Sequence, residues 1–175
     1  MRRIQRSIII GFIITGLLSY CQFSKKYAEP IALRLVSPET PLSKSSDQFY
    51  RKIRPLIDTM NSWMVLERPI RVIIKENEEP IYDPQSRTII MGLDPIYEAK
   101  EMLPGSEYSV LSILLFHELG HALIHELNIM ELTNQEIMAD TFATVFAIES
   151  FDNPKMVYEY ALFLDKIESS IYSSP

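Results

Sequence analysis

The run from Val110 to Leu127, VLSILLFHELGHALIHEL, decides how this chain is read. It is apolar over most of its length and predicts a single helix. Inside it, His117-Glu118-Leu119-Gly120-His121 forms an H-E-x-x-H motif. Four helical residues turn through about 400°, so the two imidazoles face the same way, about 6 Å apart along the axis. Imidazoles on adjacent turns can hold one zinc ion, and Glu118 can reach a water on that metal as a general base. A catalytic zinc takes three protein ligands and keeps a fourth position for water. One more ligand is therefore needed.

Three sources of that ligand differ in geometry. His125 continues the row of histidines, but on a straight helix it stands about 12 Å from His117. Ligands about 2.1 Å from zinc must lie within about 4 Å of one another, so His125 reads as a histidine on the flank of the helix, free to carry a proton or touch substrate. The metzincin spacing, H-E-x-x-H-x-x-G-x-x-H, is absent, because Ile124 and Leu127 stand where it needs glycine and histidine. The third source is an acid on the next helix. Glu136-Ile137-Met138-Ala139-Asp140 places two carboxylates on one helical face.

This E-x-x-x-D element resembles that of the thermolysin-like gluzincins. The resemblance implies Glu136 as the third zinc ligand and Asp140 as the carboxylate that orients a ligating histidine, His117. Glu136 has a competing use, since Thr133-x-x-Glu136 also reads as a helix capping box, and Glu131 is the alternative ligand. Gly120 inside a helix costs about 1 kcal/mol against alanine. Room for a neighbouring helix, or for substrate beside the metal, would compensate.

Upstream of the motif, apolar residues at helical spacing predict a helix from Asp47 to Met64, with Pro55 a point of irregularity. Arg71 to Lys75 reads as a strand. Ile81-Tyr82 and Arg87 to Met91 flank Asp83-Pro84-Gln85-Ser86 as a hairpin, with Arg87 to Met91 the expected open edge of the sheet. A connector from Gly92 to Gly105 holds a short helical turn at Ile96 to Met102. Ser106 is the expected N-cap of the motif helix and Asn128 its end. A further helix runs from Thr133 to Ser150, and Asn153-Pro154 opens a last one. The fold class is α+β: a compact zincin-type domain whose small, mostly antiparallel sheet packs on the H-E-x-x-H helix with three further helices.

The N-terminus has a different character. Arg2, Arg3 and Arg6 precede the apolar run Ile8 to Leu18, which is shorter than the ~20 residues a spanning helix needs. Residues 1–20 are thus expected to be a signal peptide. Cys21, the single cysteine, follows directly. The pattern resembles a bacterial lipoprotein signal, which implies lipidation of Cys21, although Tyr20 stands where a small residue is usual. Membrane attachment through an N-terminal lipid or an anchor follows, with a place in the bacterial cell envelope, periplasmic or surface-exposed. A secreted or signal-anchored form is the alternative. Residues 21–46, with Pro30, Pro38 and Pro41, read as a tether containing a short strand at Ile31 to Val36, and residues 47–175 as the zinc metallopeptidase-like domain.

The 175 residues are 47% apolar and 23% charged, ordinary for one globular domain. A net charge of −6 argues against nucleic acid as a partner, since an acidic body does not neutralise phosphates. One cysteine allows neither an internal disulfide nor a cysteine zinc site.

Tyr82 to Ile90, then His117-Glu118-Leu119-Gly120-His121-Ala122-Leu123-Ile124, then Glu136 to Asp140 together resemble a bacterial metallopeptidase family in which a Y-D-P hairpin precedes H-E-L-G-H-A. The resemblance covers about Pro69 to Ile148. It implies a Zn2+-dependent peptidase in which Glu118 assists attack of the zinc-bound water on a peptide or protein substrate. That reaction needs an oxyanion stabiliser, for which Tyr82, Tyr108, Tyr158, Tyr160 and His125 are the candidates. The alternative is a non-catalytic envelope lipoprotein that keeps the zincin fold and binds a protein partner.

Overall fold

The computed structural model describes residues 32–37, 43–64, 66–129 and 134–173. The expected signal peptide, Cys21, Glu131 and Thr133 lie outside the described residues. Strands β1 (Leu33–Leu35), β2 (Ile70–Lys75), β3 (Ile81–Asp83) and β4 (Thr88–Gly92) form one sheet in the order β1-β2-β4-β3. Helices α1 (Lys44–Trp63), α2 (Asp94–Met102), α3 (Glu107–Glu126), α4 (Gln135–Val145) and α5 (Pro154–Ser173) complete the α+β fold. Four helices were expected. The fifth is α2, where the sequence showed only a turn.

The sheet is mixed, where a mostly antiparallel one was expected. β1 pairs with β2 and β2 with β4 in parallel, and only β3 and β4 are antiparallel. The cause is the path between β2 and β3. After Lys75 the chain crosses the end of β4 and lays β3 on the far side. β4 then turns back into the gap, Lys75 opposite Gly92. A Cβ on Gly92 would lie 1.9 Å from the Glu78 carbonyl oxygen, so only glycine lets the loop cross there. This moves the open edge. Arg87 to Met91 lies inside the sheet, and the edge strand beside it is β3.

The folded body also begins earlier than Asp47. β1 falls within the expected tether, yet Ala32 and Leu33 are fully buried. The Asn61 side chain on α1 accepts the backbone N–H groups of Ala32 and Leu33, at 2.9 and 2.7 Å, and donates to the Leu33 carbonyl at 2.8 Å. Pro55 does not break α1. It lies on the exposed side, where water can take the carbonyl left without an N–H partner.

α3 is the centre of the domain, packed against α4, α5, α2 and the β3–β4 hairpin. It buries Leu111, Leu115, Phe116, Leu119 and Leu123. Burial of one such side chain stabilises by about 1.5–3 kcal/mol, more than Gly120 costs. Asn128, at φ 52°, ends α3 in the left-handed conformation that asparagine tolerates. α4 continues into one π-helical turn, Phe146–Ser150. There Phe116 meets Phe146 and stacks on Phe151 at 5.0 Å, Phe142 stacks on Phe146, and Trp63 packs on Phe146 and Phe151. Among the described residues no helix is long and apolar enough to cross a membrane.

Candidate metal centre

The centre is built where α4 returns across α3. His117 and His121, one turn apart on α3, converge with their Nε2 atoms 3.0 Å apart. Glu136, in the first turn of α4, brings Oε2 to 3.5 Å from each of them. Four ligands placed tetrahedrally about 2.1 Å from zinc would stand about 3.4 Å from one another. The three atoms thus have the spacing of three corners of such a site, and among the described residues they form one group able to hold a metal ion. Asp140, one turn after Glu136, holds His117 through Nδ1 at 2.9 Å. That bond favours the tautomer with the proton on Nδ1, which leaves the Nε2 lone pair facing the centre.

The N-cap of α4 is Asn134, its side chain accepting the Glu136 backbone N–H at 3.0 Å. The Glu136 carboxylate faces the histidines.

Gly120 explains how the two helices come close enough. A Cβ there would sit 2.9 Å from the Ala139 Cα and 3.2 Å from its Cβ. Of the two uses expected for the missing side chain, the room is filled by the neighbouring helix. Glu136 and Asp140 flank Ala139 on α4 and reach His117 and His121 across this contact.

Glu118 is 6% exposed, the one buried acid among the described residues. Burial raises its pKa above the usual carboxylate range, opposed by His117 and by the backbone N–H of Tyr82. Its proton affinity is thereby brought closer to that of a base working near neutral pH. Burial, and then His117, lower the pKa of His121, so its imidazole stays neutral and its lone pair available. The acids on α4 are exposed, Glu136 by 67% of its side chain and Asp140 by 66%. The centre is open on that side.

The five candidates for stabilising an oxyanion separate in space. Tyr160 lies on α5, where burial pushes its hydroxyl up to about 12, with Asp140 and then Glu118 adding to the shift. Tyr82 turns its ring to His125, centroids 6.0 Å apart, and its buried hydroxyl lies among Glu126, Arg87 and Arg68 instead. Tyr108 sits in the first turn of α3, with Ser112, about 13 Å along the axis from His117. Tyr158 is exposed. His125 lies 3.6 Å from Glu126, at the far end of α3. Arg87 and Glu126, which pair beside Tyr82, had no signal in the sequence, since they are 39 residues apart and belong to no motif.

A family model described as "Putative metallopeptidase", DUF4344, matches residues 38–170. The chain belongs to that family of metallopeptidases. No curated protein and no solved structure matches it.

If the Gly120–Ala139 contact sets the spacing of the centre, Gly120→Ala must push α4 outward. Overpacking of this kind costs about 1–3 kcal/mol. The variant should unfold at lower temperature and hold metal at least tenfold more weakly in a competition titration with a chelator. Undiminished metal affinity would show that the helix spacing is set elsewhere.

Proposed function

We propose that this protein is a zinc peptidase of the gluzincin type, with His117, His121 and Glu136 as the metal ligands and Asp140 orienting His117. What carries the reading is the convergence of those three ligand atoms beside a buried Glu118. When bound, zinc supplies a Lewis acid that acidifies a water molecule and polarises the substrate carbonyl. Glu118 takes the proton from the attacking water and delivers it to the leaving amine nitrogen. The raised proton affinity that burial gives Glu118 suits both transfers, because the same group must accept and then release.

Substrate binds as an extended strand against β3, the edge strand of the sheet beside β4. The Tyr160 hydroxyl, which keeps its proton to about pH 12, donates to the oxyanion that develops on the carbonyl carbon under attack. A charged donor is not needed there, since a neutral phenol beside two carboxylates stays protonated throughout the neutral range. We further propose that residues 1–20 are removed as a signal peptide and that a lipid on Cys21 holds the enzyme at the bacterial envelope. The basic start, the apolar run and the position of the cysteine support this.

Purified protein should hold close to one zinc per chain by elemental analysis, and His117→Ala or Glu136→Ala should lose it. Glu118→Gln should keep the metal and lose at least about 10²-fold in peptide cleavage; full activity in that variant would sink the mechanism. Tyr160→Phe should lower kcat by about 10²-fold with KM little changed, while Tyr82→Phe and Tyr158→Phe should not. In cells, labelling with a fatty-acid analogue should tag the wild-type protein and not Cys21→Ser. An untagged wild-type protein would rule out the lipid anchor.

A further inference from the structure

Arg87 occupies an unusual position. It closes the β3–β4 turn with φ at 54°, a left-handed conformation disfavoured for a side chain of its size. Its guanidinium runs from there to the last turn of α3, where it pairs with Glu126, and a second nitrogen donates to the Arg68 carbonyl at 2.6 Å. Both ends of the ion pair are largely buried, 14% and 16% exposed. Removing one partner of such a pair leaves an uncompensated charge away from water. Arg87 therefore ties the hairpin, the lead into β2 and the end of α3 to one point.

The hairpin meets the end of α3: the Tyr82 ring on β3 faces His125, centroids 6.0 Å apart, and Arg87 in the turn pairs with Glu126. Glu118 and Glu126 are eight residues apart, about 12 Å along the helix axis. Glu118 belongs to the centre itself, next to His117. The Arg87–Glu126 pair lies beyond it.

We propose that Arg87 is a positioning residue, whose ion pair with Glu126 fixes β3 relative to His117, His121 and Glu136 and so sets the affinity for extended peptide backbone. The inference rests on the peptidase reading above. It differs from a stabilising role in its consequence: loss of the pair weakens contacts made along β3 and leaves contacts made at the metal alone intact.

The test compares two hydroxamates on the zinc-loaded full chain. Acetohydroxamate reports the metal only, and an acetylated dipeptide hydroxamate reports the metal and the edge strand together. Wild type should bind the dipeptide compound far more tightly. Arg87→Gln should lower that affinity at least tenfold while acetohydroxamate affinity and zinc content stay unchanged. Arg87→Lys, which keeps the charge and serves if the glutamine variant does not fold, should lower it by less, in the same pattern. Exchanging the partners, Arg87→Glu with Glu126→Arg, should recover affinity relative to Arg87→Glu alone. Equal losses for both hydroxamates, or no loss for either, would overturn the proposal. A wild-type protein that binds the dipeptide compound no better than acetohydroxamate would instead remove the peptidase reading on which it stands.

Discussion

The contact between Gly120 and Ala139 governs the distance between α3 and α4, and the candidate metal centre exists only at that distance. Two histidines on one helix can approach each other without help, because the turn of the helix stacks them. The third acid comes from another element and must be brought in by packing. With no side chain on Gly120, the Ala139 backbone reaches the surface of α3, and the residues on either side of it, Glu136 and Asp140, come within reach of His117 and His121. The aromatic cluster around Phe116 and Phe146 holds the other end of the same helix. α4 is thus held both at Gly120 and beyond it.

This arrangement places polar chemistry inside an apolar framework. α3 is buried along most of its length, which supplies a rigid support but makes each charge on it expensive to hold. The charges are managed by position. Glu136 and Asp140 keep most of their carboxylate surface in water, so they can face the histidines at little desolvation cost. Glu118 is the exception: it is buried, and its raised proton affinity follows from that burial. Low dielectric surroundings thus turn an ordinary glutamate into a candidate base.

The sheet contributes through its topology. Gly92 permits the loop after β2 to cross β4, and that crossing makes β3 the outer strand, lying against α3. A hairpin built in sequence order would have left Arg87 to Met91 outside. One residue without a Cβ therefore decides which strand borders the centre, and the buried pair of Arg87 with Glu126 decides where that strand stands.

Local patterns made much of this legible in the sequence. The H-E-x-x-H spacing, the apolar run around it, the E-x-x-x-D element and the turn at Asp83 to Ser86 are short-range features, set by helical period and turn chemistry. Those rules act within a few residues and so can be read directly from the chain. The mixed sheet, the place of β1 in the core, the edge at β3 and the Arg87–Glu126 pair were not legible. Each depends on residues distant in sequence meeting in space, as Arg87 meets Glu126 across 39 positions. The sequence by itself determined which side chains could do the chemistry and on which helices they stand. Only the tertiary structure decided how close those helices come and which strand lies beside them, because close packing of distant elements carries no local periodic signal.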